Sequence, residues 1–338
     1  MDIKFVLTLT ICSILLLCAC GNLQTSTPNN VPATSMPIQS TKPPAIQPTA
    51  QPTAPAVLPN PFRIIGYATD GIVVEAIPFT KLTHINYAFL IPNDDGTFLP
   101  LTNAWKIKGL VARGHQNNVR TLISIGGWGW DKQFEKVASD PQKRAIFISE
   151  TLKVVNAYGF DGVDIDWEYP DPGESAQYFA ALIRELRAAL PEKLLSAAVI
   201  SSGDEFGLGI PTECFSVLDF INVMAYDEPG HATMDQFTRS LDYWVARGLP
   251  SEKLVLGIPF YSRPGEIPYR KLVQSDPSAA QSDVYNYNGS EERYNGLATV
   301  TKKTLVARQR ASGVMFWTLE LDASGDASLL NAIHQASK

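Results

Sequence analysis

From Phe62 to the C-terminus, short apolar runs alternate with amphipathic segments. The apolar runs have the length of buried strands, whereas the segments between them place apolar residues at helical spacing. The runs predict eight strands, at Arg63–Ala68, Leu82–Leu90, Val119–Ile125, Gly159–Asp166, Leu194–Ile200, Phe220–Ala225, Leu254–Pro259 and Gly313–Thr318. Strands that alternate with helices indicate an α/β fold.

Helices are predicted between most of these strands, and the first and fifth connections are shorter or irregular. The predicted helices are Asn103–Asn117, Pro141–Tyr158, Ser175–Leu190, Met234–Arg247, Val300–Ala311 and a last one near Ala327–Ala336. Eight strands with intervening helices in about 280 residues fit a (β/α)8 TIM barrel, whose usual size is about 250 residues. A doubly wound open sheet is the alternative, but no glycine-rich phosphate-binding fingerprint follows any strand.

A leader precedes the barrel. Lys4 is followed by an apolar run over residues 5–17, which predicts an export signal. The run is shorter than the roughly 20 residues that a spanning helix needs, so a permanent transmembrane anchor is the weaker interpretation. Residues 17–21 (LCACG) resemble the lipobox of bacterial lipoproteins, which implies a signal peptide over residues 1–20 and lipidation of Cys20. A plain secretory leader is the alternative.

A spacer connects this leader to the barrel domain, which is predicted over residues 61–338. Residues 21–60 are rich in Pro, Thr, Gln and Ala and carry almost no charge, so they are predicted to be a disordered linker. Only Cys214 remains in the barrel, which therefore has no disulfide partner. The formal net charge of −6 argues against nucleic acid or anionic lipid as the main partner and favours a neutral ligand.

The fourth predicted strand carries a row of acids. Four carboxylates fall within residues 161–168 (DGVDIDWE), in a segment that otherwise has the pattern of a buried strand. Strand side chains alternate between faces, so Asp164, Asp166 and Glu168 project from one face and the apolar residues between them from the other. Neighbouring carboxylates cannot all ionise cheaply, so at least one pKa in the row is expected to rise. We predict that Glu168 is the proton donor.

Other distinctive residues lie at the ends of the predicted strands, where a (β/α)8 barrel carries its functional loops. They are Tyr67, Phe89, Gly126, Gly127, Trp128, Met224, Tyr226, Asp227 and Trp317. Their convergence on one face of the barrel predicts an active site around the acid row.

Four motifs, in this order along the chain, resemble those of glycoside hydrolase family 18, the chitinases. Residues 124–127 (SIGG) resemble the family's SxGG motif, and residues 161–168 have its DxxDxDxE form. Residues 224–227 (MAYD) and 313–317 (GVMFW) resemble its motifs on strands six and eight. The resemblance covers the chain from about Phe62 onward and implies a glycosidase that needs no metal and no cofactor.

The resemblance implies a retaining hydrolysis that the substrate assists, an exception to the two-carboxylate scheme. Glu168 would protonate the glycosidic oxygen while the substrate's own N-acetyl oxygen attacks the anomeric carbon and forms an oxazolinium ion. Asp166 would hydrogen-bond the acetamido N–H and share a proton with Asp164, and Tyr226 would hydrogen-bond the acetamido group. Glu168 would then act as base toward water.

The resemblance also implies roles for the surrounding residues. Expected to bind substrate are Tyr67, Phe89, Gly127, Trp128, Met224, Asp227, Arg263 and Trp317, the last as an apolar floor beneath the sugar. Ser124, Gly126 and Asp161 are expected to be structural. The family's non-proline cis peptides are expected at Glu168–Tyr169 and Trp317–Thr318.

Several aromatic residues and one insertion extend these expectations. Trp128 and Trp130 are candidates for stacking on sugar rings, whereas Trp105 and Trp244 are expected to be packing residues. Only about 30 residues separate Tyr261 from Tyr294, so the insertion at 262–293 is too short for the α+β domain of many family members. A shallower groove is expected, which favours endo-type cutting or short oligosaccharides.

The predicted function is hydrolysis of β-1,4-linked N-acetylglucosamine polymers, chitin or chitooligosaccharides, by a monomeric enzyme anchored to the outer face of a bacterial membrane. An endo-β-N-acetylglucosaminidase acting on peptidoglycan or N-linked glycans is the alternative within the same chemistry. The alternative of another class is a sugar-binding lipoprotein that has lost catalysis. The presence of Glu168, Asp166 and Tyr226 counts against this last alternative.

Overall fold

Parallel strands close into a barrel within residues 62–338, the part of the chain that the computed structural model describes. The predicted signal peptide, Cys20 and the predicted linker lie outside the described residues. The barrel strands are β1 (Arg63–Ala68), β2 (His84–Leu90), β3 (Arg120–Gly126), β4 (Gly162–Asp166), β5 (Leu194–Val199), β6 (Phe220–Val223), β7 (Leu254–Pro259) and β10 (Gly313–Trp317). Their order is β1-β10-β7-β6-β5-β4-β3-β2, and β1 pairs with both β2 and β10. This closure confirms the predicted TIM barrel and excludes the open sheet.

Helices surround the barrel in the connections between strands. They are α1 (Ala104–Gln116), α2 (Asp131–Ala138), α3 (Pro141–Tyr158), α4 (Glu174–Ala189), α5 (Asp204–Gly207), α6 (Cys214–Val217), α7 (Met234–Ala246), α8 (Tyr269–Ser275), α9 (Leu297–Arg310) and α10 (Leu329–Ala336). Short 3₁₀ turns replace a helix in the first connection, and the fifth contains only α5 and α6. Both irregular connections agree with the sequence pattern. No helix in the described range is long and apolar enough to cross a bilayer.

The ends of α3 show how local sequence sets the entry to β4. The carboxylate of Asp140 accepts hydrogen bonds from the backbone N–H groups of Gln142 (2.8 Å) and Lys143 (3.4 Å), and Pro141 occupies the first turn. Gly159 ends the helix in the left-handed region, at φ 78°. The predicted start of β4 at Gly159 is therefore three residues early.

The sequence pattern missed the short helices α2, α5, α6 and α8 and one hairpin. Helix α2 is only eight residues long and is separated from α3 by two residues, so its periodicity merges with that of α3. The antiparallel hairpin β8 (Val284–Tyr287) and β9 (Ser290–Arg293) lies in the insertion after β7. Its turn residues, Asn288 and Gly289, both have positive φ (53° and 88°), and an Asn-Gly pair is a strong hairpin signal.

The barrel has apolar packing on both sides of its strands. Outward-facing strand residues such as Val163, Ile165 and Trp167 pack in the layer beneath the helices. Inward-facing residues form a second cluster inside the barrel, which includes Ile65 and Met315. Because alternate β4 residues serve the outer layer, its remaining side chains point into the barrel.

Candidate active site

The acid row of β4 has the predicted alternation. Val163 and Ile165 are fully buried beneath the helices, and Trp167 packs there on Phe134 with ring centroids 5.2 Å apart. Asp164 and Asp166 project to the barrel interior instead, and Glu168 follows them at the carboxyl end of the strand. Three acids therefore stand in line from the barrel interior to its mouth.

Asp164 is the innermost acid, and its side chain is fully buried. One oxygen accepts hydrogen bonds from Tyr67 Oη (2.8 Å) and Ser124 Oγ (2.9 Å). The other accepts from Ser196 Oγ (2.6 Å) and Asn222 Nδ2 (3.1 Å). Burial raises the pKa of Asp164, and these four hydrogen bonds oppose the rise. The network ties the second acidic position of the motif to four other strands.

Asp166 lies above Asp164 and is also buried, but its Oδ1 makes no hydrogen bond within residues 62–338. Its backbone oxygen accepts from the N–H of Gly127 at 2.8 Å. Burial raises the pKa of Asp166 well above its usual value, and the neighbouring charges of Glu168 and Asp164 raise it further. Asp166 thus combines a free oxygen with a strong tendency to hold a proton.

Glu168 is the outermost acid of the row and is partly exposed. Burial raises its pKa to about 7, with a further contribution from the charge of Asp227, while a contact with Tyr169 lowers it. A carboxyl group with this pKa is substantially protonated near neutral pH, which is what a general acid requires. The peptide bond that follows it, Glu168–Tyr169, is cis, as is Trp317–Thr318, so both predicted cis positions are confirmed. A third cis bond joins Ala88 to Phe89.

An aromatic surface lies beside the acids. The rings of Trp317 and Phe89 stack with centroids 5.4 Å apart and an interplanar angle of 18°, and Tyr67 lies 5.7 Å from Trp317. Gly127 permits this arrangement, because a Cβ at its position (φ 91°) would lie 2.6 Å from the Phe89 ring. A Cβ on Gly126 (φ 113°) would likewise lie 2.3 Å from the backbone oxygen of Asp166. Both motif glycines are therefore required by close approach.

The loop after β6 supplies the opposite side of the site. Tyr226 is buried, and its hydroxyl lies 3.9 Å from Met315 Sδ. The carboxylate of Asp227 accepts hydrogen bonds from Tyr261 Oη and from Arg263 Nε (2.7 Å). Burial would raise the pKa of Asp227, but contacts with His231, Arg263 and Tyr261 bring it down to about 2. Asp227 is therefore ionised across the physiological range.

These groups line a single cavity of about 1130 Å³ at the carboxyl ends of the strands. The predicted residues that line it are Tyr67, Phe89, Trp128, Asp166, Glu168, Met224, Tyr226, Asp227, Arg263 and Trp317. Asp164, Ser124, Gly126 and Gly127 lie behind this lining rather than in it. Asp161 lies at the other end of β4, where it accepts hydrogen bonds from Thr121 N (2.8 Å) and Arg120 (3.1 Å).

Part of the lining was not predicted from the sequence. The missed residues are Tyr169, Ile200, Ser202, Gly203, Asp204, Glu205, Phe206, Glu228, Pro229, Tyr261, Glu266 and Leu321. Most belong to the irregular connection after β5 or to the loops after β6 and β7. Tyr261 could have been found from its place just beyond a barrel strand, whereas the residues after β5 carry no recognisable motif.

The tryptophans divide between surface and core. Trp128 lines the cavity and is 78% exposed, and Trp130 lies outside the lining. Trp244 is fully buried, as predicted. Trp105 is 72% exposed, so its prediction as a packing residue is wrong: it lies in the first turn of α1, on a side that no other element within residues 62–338 covers.

Comparisons with known proteins agree with this geometry. The model of the Glycosyl hydrolases family 18 matches residues 63–322. Chitinase 1 of Aphanocladium album is 25% identical over 338 aligned residues, which cover 77% of this chain and 80% of that protein. The class V chitinase of Arabidopsis thaliana is 37% identical over 222 residues, which cover 56% of this chain and 58% of that protein, less than two thirds of its length.

A solved structure gives the same result. The crystal structure of the GH18 chitinase ChiB from the chitin utilization locus of Flavobacterium johnsoniae superposes with a TM-score of 0.69 at 28% identity, over 82% of this chain and 94% of that one. Family model, sequence relatives and fold all coincide on the domain that carries the acid row. The chain belongs to glycosyl hydrolase family 18 and is a glycosidase of the chitinase type.

Proposed function

We propose that this enzyme hydrolyses β-1,4-linked N-acetylglucosamine chains, chitin or chitooligosaccharides, with retention of configuration and with the substrate's own acetamido group as nucleophile. The observation that carries the proposal is the pairing of two unlike acids in one cavity. Glu168 has a pKa of about 7 and reaches the mouth, while Asp166 is buried with one oxygen free of hydrogen bonds. An N-acetyl sugar offers the N–H that this oxygen lacks.

A residue of the site can then be assigned to each step of the reaction. Glu168 donates its proton to the glycosidic oxygen as the bond to the anomeric carbon breaks. The acetamido oxygen bonds to that carbon and gives an oxazolinium ion, whose positive charge Asp166 stabilises through the acetamido N–H. Water then attacks the same carbon, gives its proton back to Glu168, and the acetamido group is regenerated.

The surrounding residues bind the substrate and set the electrostatic environment of the acids. The stacked pair of Trp317 and Phe89 provides an apolar surface for the face of a sugar ring. Tyr226 and Asp227 line the same cavity on the other side and supply polar groups for the acetamido group and the neighbouring hydroxyls. Asp164 remains beneath, where its hydrogen-bond network holds it and its charge acts on Asp166.

Turnover by active-site variants tests the proposal. Glu168→Gln should abolish hydrolysis of chitotetraose and leave binding largely intact, and Asp166→Asn should lose most activity. Exposed Glu174, which lies outside the cavity, provides the matched control Glu174→Gln, and this variant should retain full turnover. Turnover by Glu168→Gln at the wild-type rate would refute the assignment of the acid.

A substrate panel distinguishes the alternatives. The full-length protein is incubated with chitotetraose, murein glycan and a high-mannose glycopeptide, and the products are identified by mass spectrometry. Cleavage of chitotetraose alone supports the chitinase, whereas preferential cleavage of either of the others indicates an endo-β-N-acetylglucosaminidase. Equal cleavage of an oligosaccharide without the 2-acetamido group would contradict substrate assistance.

We further propose that the enzyme is a monomer held at the outer face of a bacterial membrane by lipid on Cys20. The support is the LCACG segment at residues 17–21, which ends an apolar run of export-signal length. Metabolic labelling with a fatty acid should mark the wild-type protein and not the Cys20→Ser variant. Equal labelling of both would refute lipidation at this residue.

A further inference from the structure

His231 is a buried histidine next to the cavity, and neither the family motifs nor the proposed mechanism assigns it a role. Only 6% of its surface is exposed, and it does not line the cavity. The backbone N–H of Asp227 donates to Nδ1 at 3.2 Å. Nε2 lies 3.2 Å from the backbone oxygen of Tyr261. A carbonyl oxygen can only accept, so Nε2 carries a proton, and Nδ1 lies both beside the backbone N–H of Asp227 and 3.4 Å from its carboxylate.

The segment that contains His231 has unusual backbone geometry at both ends. Asp227 has φ 63° and Ala232 has φ 65°, in the left-handed region that residues with a side chain rarely adopt. The surrounding structure must therefore hold it in place. His231, which belongs to the segment, contacts the backbone of Asp227, and the buried Lys303 on α9 holds Ala232, whose oxygen accepts from Nζ at 2.9 Å.

The far side of Lys303 is also fixed. Its Nζ donates to Asn295 Oδ1 at 2.8 Å, and Asn295 Nδ2 donates to the backbone oxygen of Pro259, the last residue of β7, at 3.0 Å. The loop after β6 is thereby joined to the end of β7 in two places, once through His231 and once through Lys303. The connection through His231 joins two residues that line the cavity, Asp227 and Tyr261, whereas the connection through Lys303 joins residues outside its lining.

The groups on which His231 acts are cavity residues. The hydroxyl of Tyr261 and Nε of Arg263 both bond the Asp227 carboxylate, and the ring of Tyr261 lies 5.3 Å from the imidazole of His231. The same Tyr261 ring meets Tyr226 edge-on, with centroids 6.3 Å apart. A change at His231 therefore reaches Asp227 directly and Tyr226 through the ring of Tyr261.

We propose that His231 is a positioning residue of the active site: the contact of its Nδ1 with the backbone N–H of Asp227 holds the left-handed backbone there and so sets where Asp227 and Tyr226 stand relative to the sugar. This inference rests on the proposed function for its kinetic consequence. Its structural consequence, the position of the Asp227 carboxylate, does not depend on the substrate.

Three substitutions at this position separate the two hydrogen bonds of the imidazole. Asparagine can put its amide oxygen where Nδ1 accepts from Asp227, glutamine can put its amide nitrogen where Nε2 donates to Tyr261, and phenylalanine keeps only the ring shape. We expect His231→Asn to keep kcat for chitotetraose within about threefold of wild type, and His231→Gln and His231→Phe to lose about 10- to 100-fold. The loss should appear more in kcat than in KM, because the stacked pair of Trp317 and Phe89 is untouched.

The matched control is His334→Phe, at a histidine on α10 that lies outside the cavity lining. It should retain wild-type kcat. Wild-type kcat in His231→Gln and His231→Phe would overturn the proposal, and so would an equal loss in His231→Asn and His231→Phe. If the phenylalanine variant does not fold, the comparison of Asn with Gln decides the same question.

Crystal structures of the wild type and of His231→Gln separate this inference from the proposed function. The Asp227 carboxylate should leave Arg263 or Tyr261 in the variant, whichever polymer the enzyme cleaves. An unmoved carboxylate would overturn the positioning role even where chitotetraose is cleaved. A wild-type protein that does not cleave chitotetraose but shows the displacement would refute the proposed function alone.

Discussion

Replacing Asp164 tests whether the innermost acid supports the fold, the chemistry or both. Its two oxygens accept four hydrogen bonds, from Tyr67, Ser124, Ser196 and Asn222, and no part of the residue is exposed. Asp164→Ala removes all four acceptor positions and leaves a cavity, whereas Asp164→Asn keeps the shape and removes the charge. The two substitutions are therefore expected to differ in their effects on stability and on turnover.

The structure sets the size of the effect of Asp164→Ala. A buried donor without an acceptor costs about 1–3 kcal/mol. The two serine hydroxyls can rotate toward other oxygens, so only the phenol of Tyr67 and the amide of Asn222 are counted. The free energy of unfolding should fall by about 2–6 kcal/mol, a large part of the roughly 5–15 kcal/mol that a protein of this kind has.

Asp164→Asn should be much milder for the fold. The amide oxygen can keep Ser196 and Asn222, and the new NH₂ can donate to the hydroxyls of Tyr67 and Ser124, which accept as well as donate. We expect a loss of about 1 kcal/mol in the free energy of unfolding. Turnover should nevertheless fall by about 10²-fold, because the variant lacks the charge that helps to raise the pKa of Asp166 and cannot share its proton.

Urea unfolding followed by circular dichroism, together with chitotetraose turnover, measures both quantities. Asp161→Asn is the matched control, since this acid belongs to the same motif but lies at the opposite end of β4. It should lose stability and retain kcat. The reasoning fails if Asp164→Ala is as stable as wild type within about 0.5 kcal/mol, or if Asp164→Asn turns over at the wild-type rate.

Three further predictions follow from the same structure. Because Glu168 must be protonated to act and its pKa is about 7, kcat/KM for chitotetraose should fall about tenfold per pH unit above that value; a flat profile to pH 9 would contradict this. Burial lowers the pKa of Lys303 from 10.5 to about 7. Between pH 7 and 10.5 this lysine is therefore protonated in the unfolded chain but largely neutral in the folded protein, so the free energy of unfolding rises with pH across that window. In urea unfolding, the free energy of unfolding of the wild type should rise by about 1.4 kcal/mol per pH unit in this window, and Lys303→Met should lack the rise. The exposed control Lys302→Met should keep it. Equal slopes in the wild type and both variants would refute the assignment. Gly127→Ala and Gly129→Ala introduce the same positive-φ strain, at φ 91° and 92°. Only the Cβ at position 127 would meet the ring of Phe89, at 2.6 Å. Only Gly127→Ala should lower kcat/KM, by about tenfold or more, and equal losses in both variants would exclude the steric explanation.

The fold was predictable where local pattern and tertiary structure agree. Strand β4 is the best case, because two-residue alternation alone separates its inward acids from outward Val163, Ile165 and Trp167. Helix α2 and the hairpin β8–β9 were missed because one is too short to show its own period and the other has strands that are only partly buried. The Asn288–Gly289 turn was the available signal for the hairpin.

Only those site residues that belong to motifs at the ends of strands were predictable from the sequence. Asp166, Glu168 and Trp317 follow from their strands, and the barrel brings them together. The contribution of the connection after β5, such as Phe206, depends on how an irregular loop folds over the mouth, which no periodicity encodes. His231 escaped notice for a related reason: its partners lie on two different loops, and its role depends on hydrogen bonds to backbone atoms that have no sequence signature.

The electrostatics of the acid row explain why the nucleophile should come from the substrate. Asp164 is enclosed by its four donors, and the pKa of Asp166 is raised so far that it tends to be neutral, which makes both poor nucleophiles toward an anomeric carbon. Asp227 is ionised, but Arg263 and Tyr261 already bond its oxygens. A sugar with a 2-acetamido group brings its own oxygen to the reacting carbon and an N–H to the free oxygen of Asp166. Under the proposed mechanism the row sets a requirement for N-acetyl sugars, and we expect the loops after β5 and β7 that line the cavity to select among chitin, peptidoglycan and N-glycans.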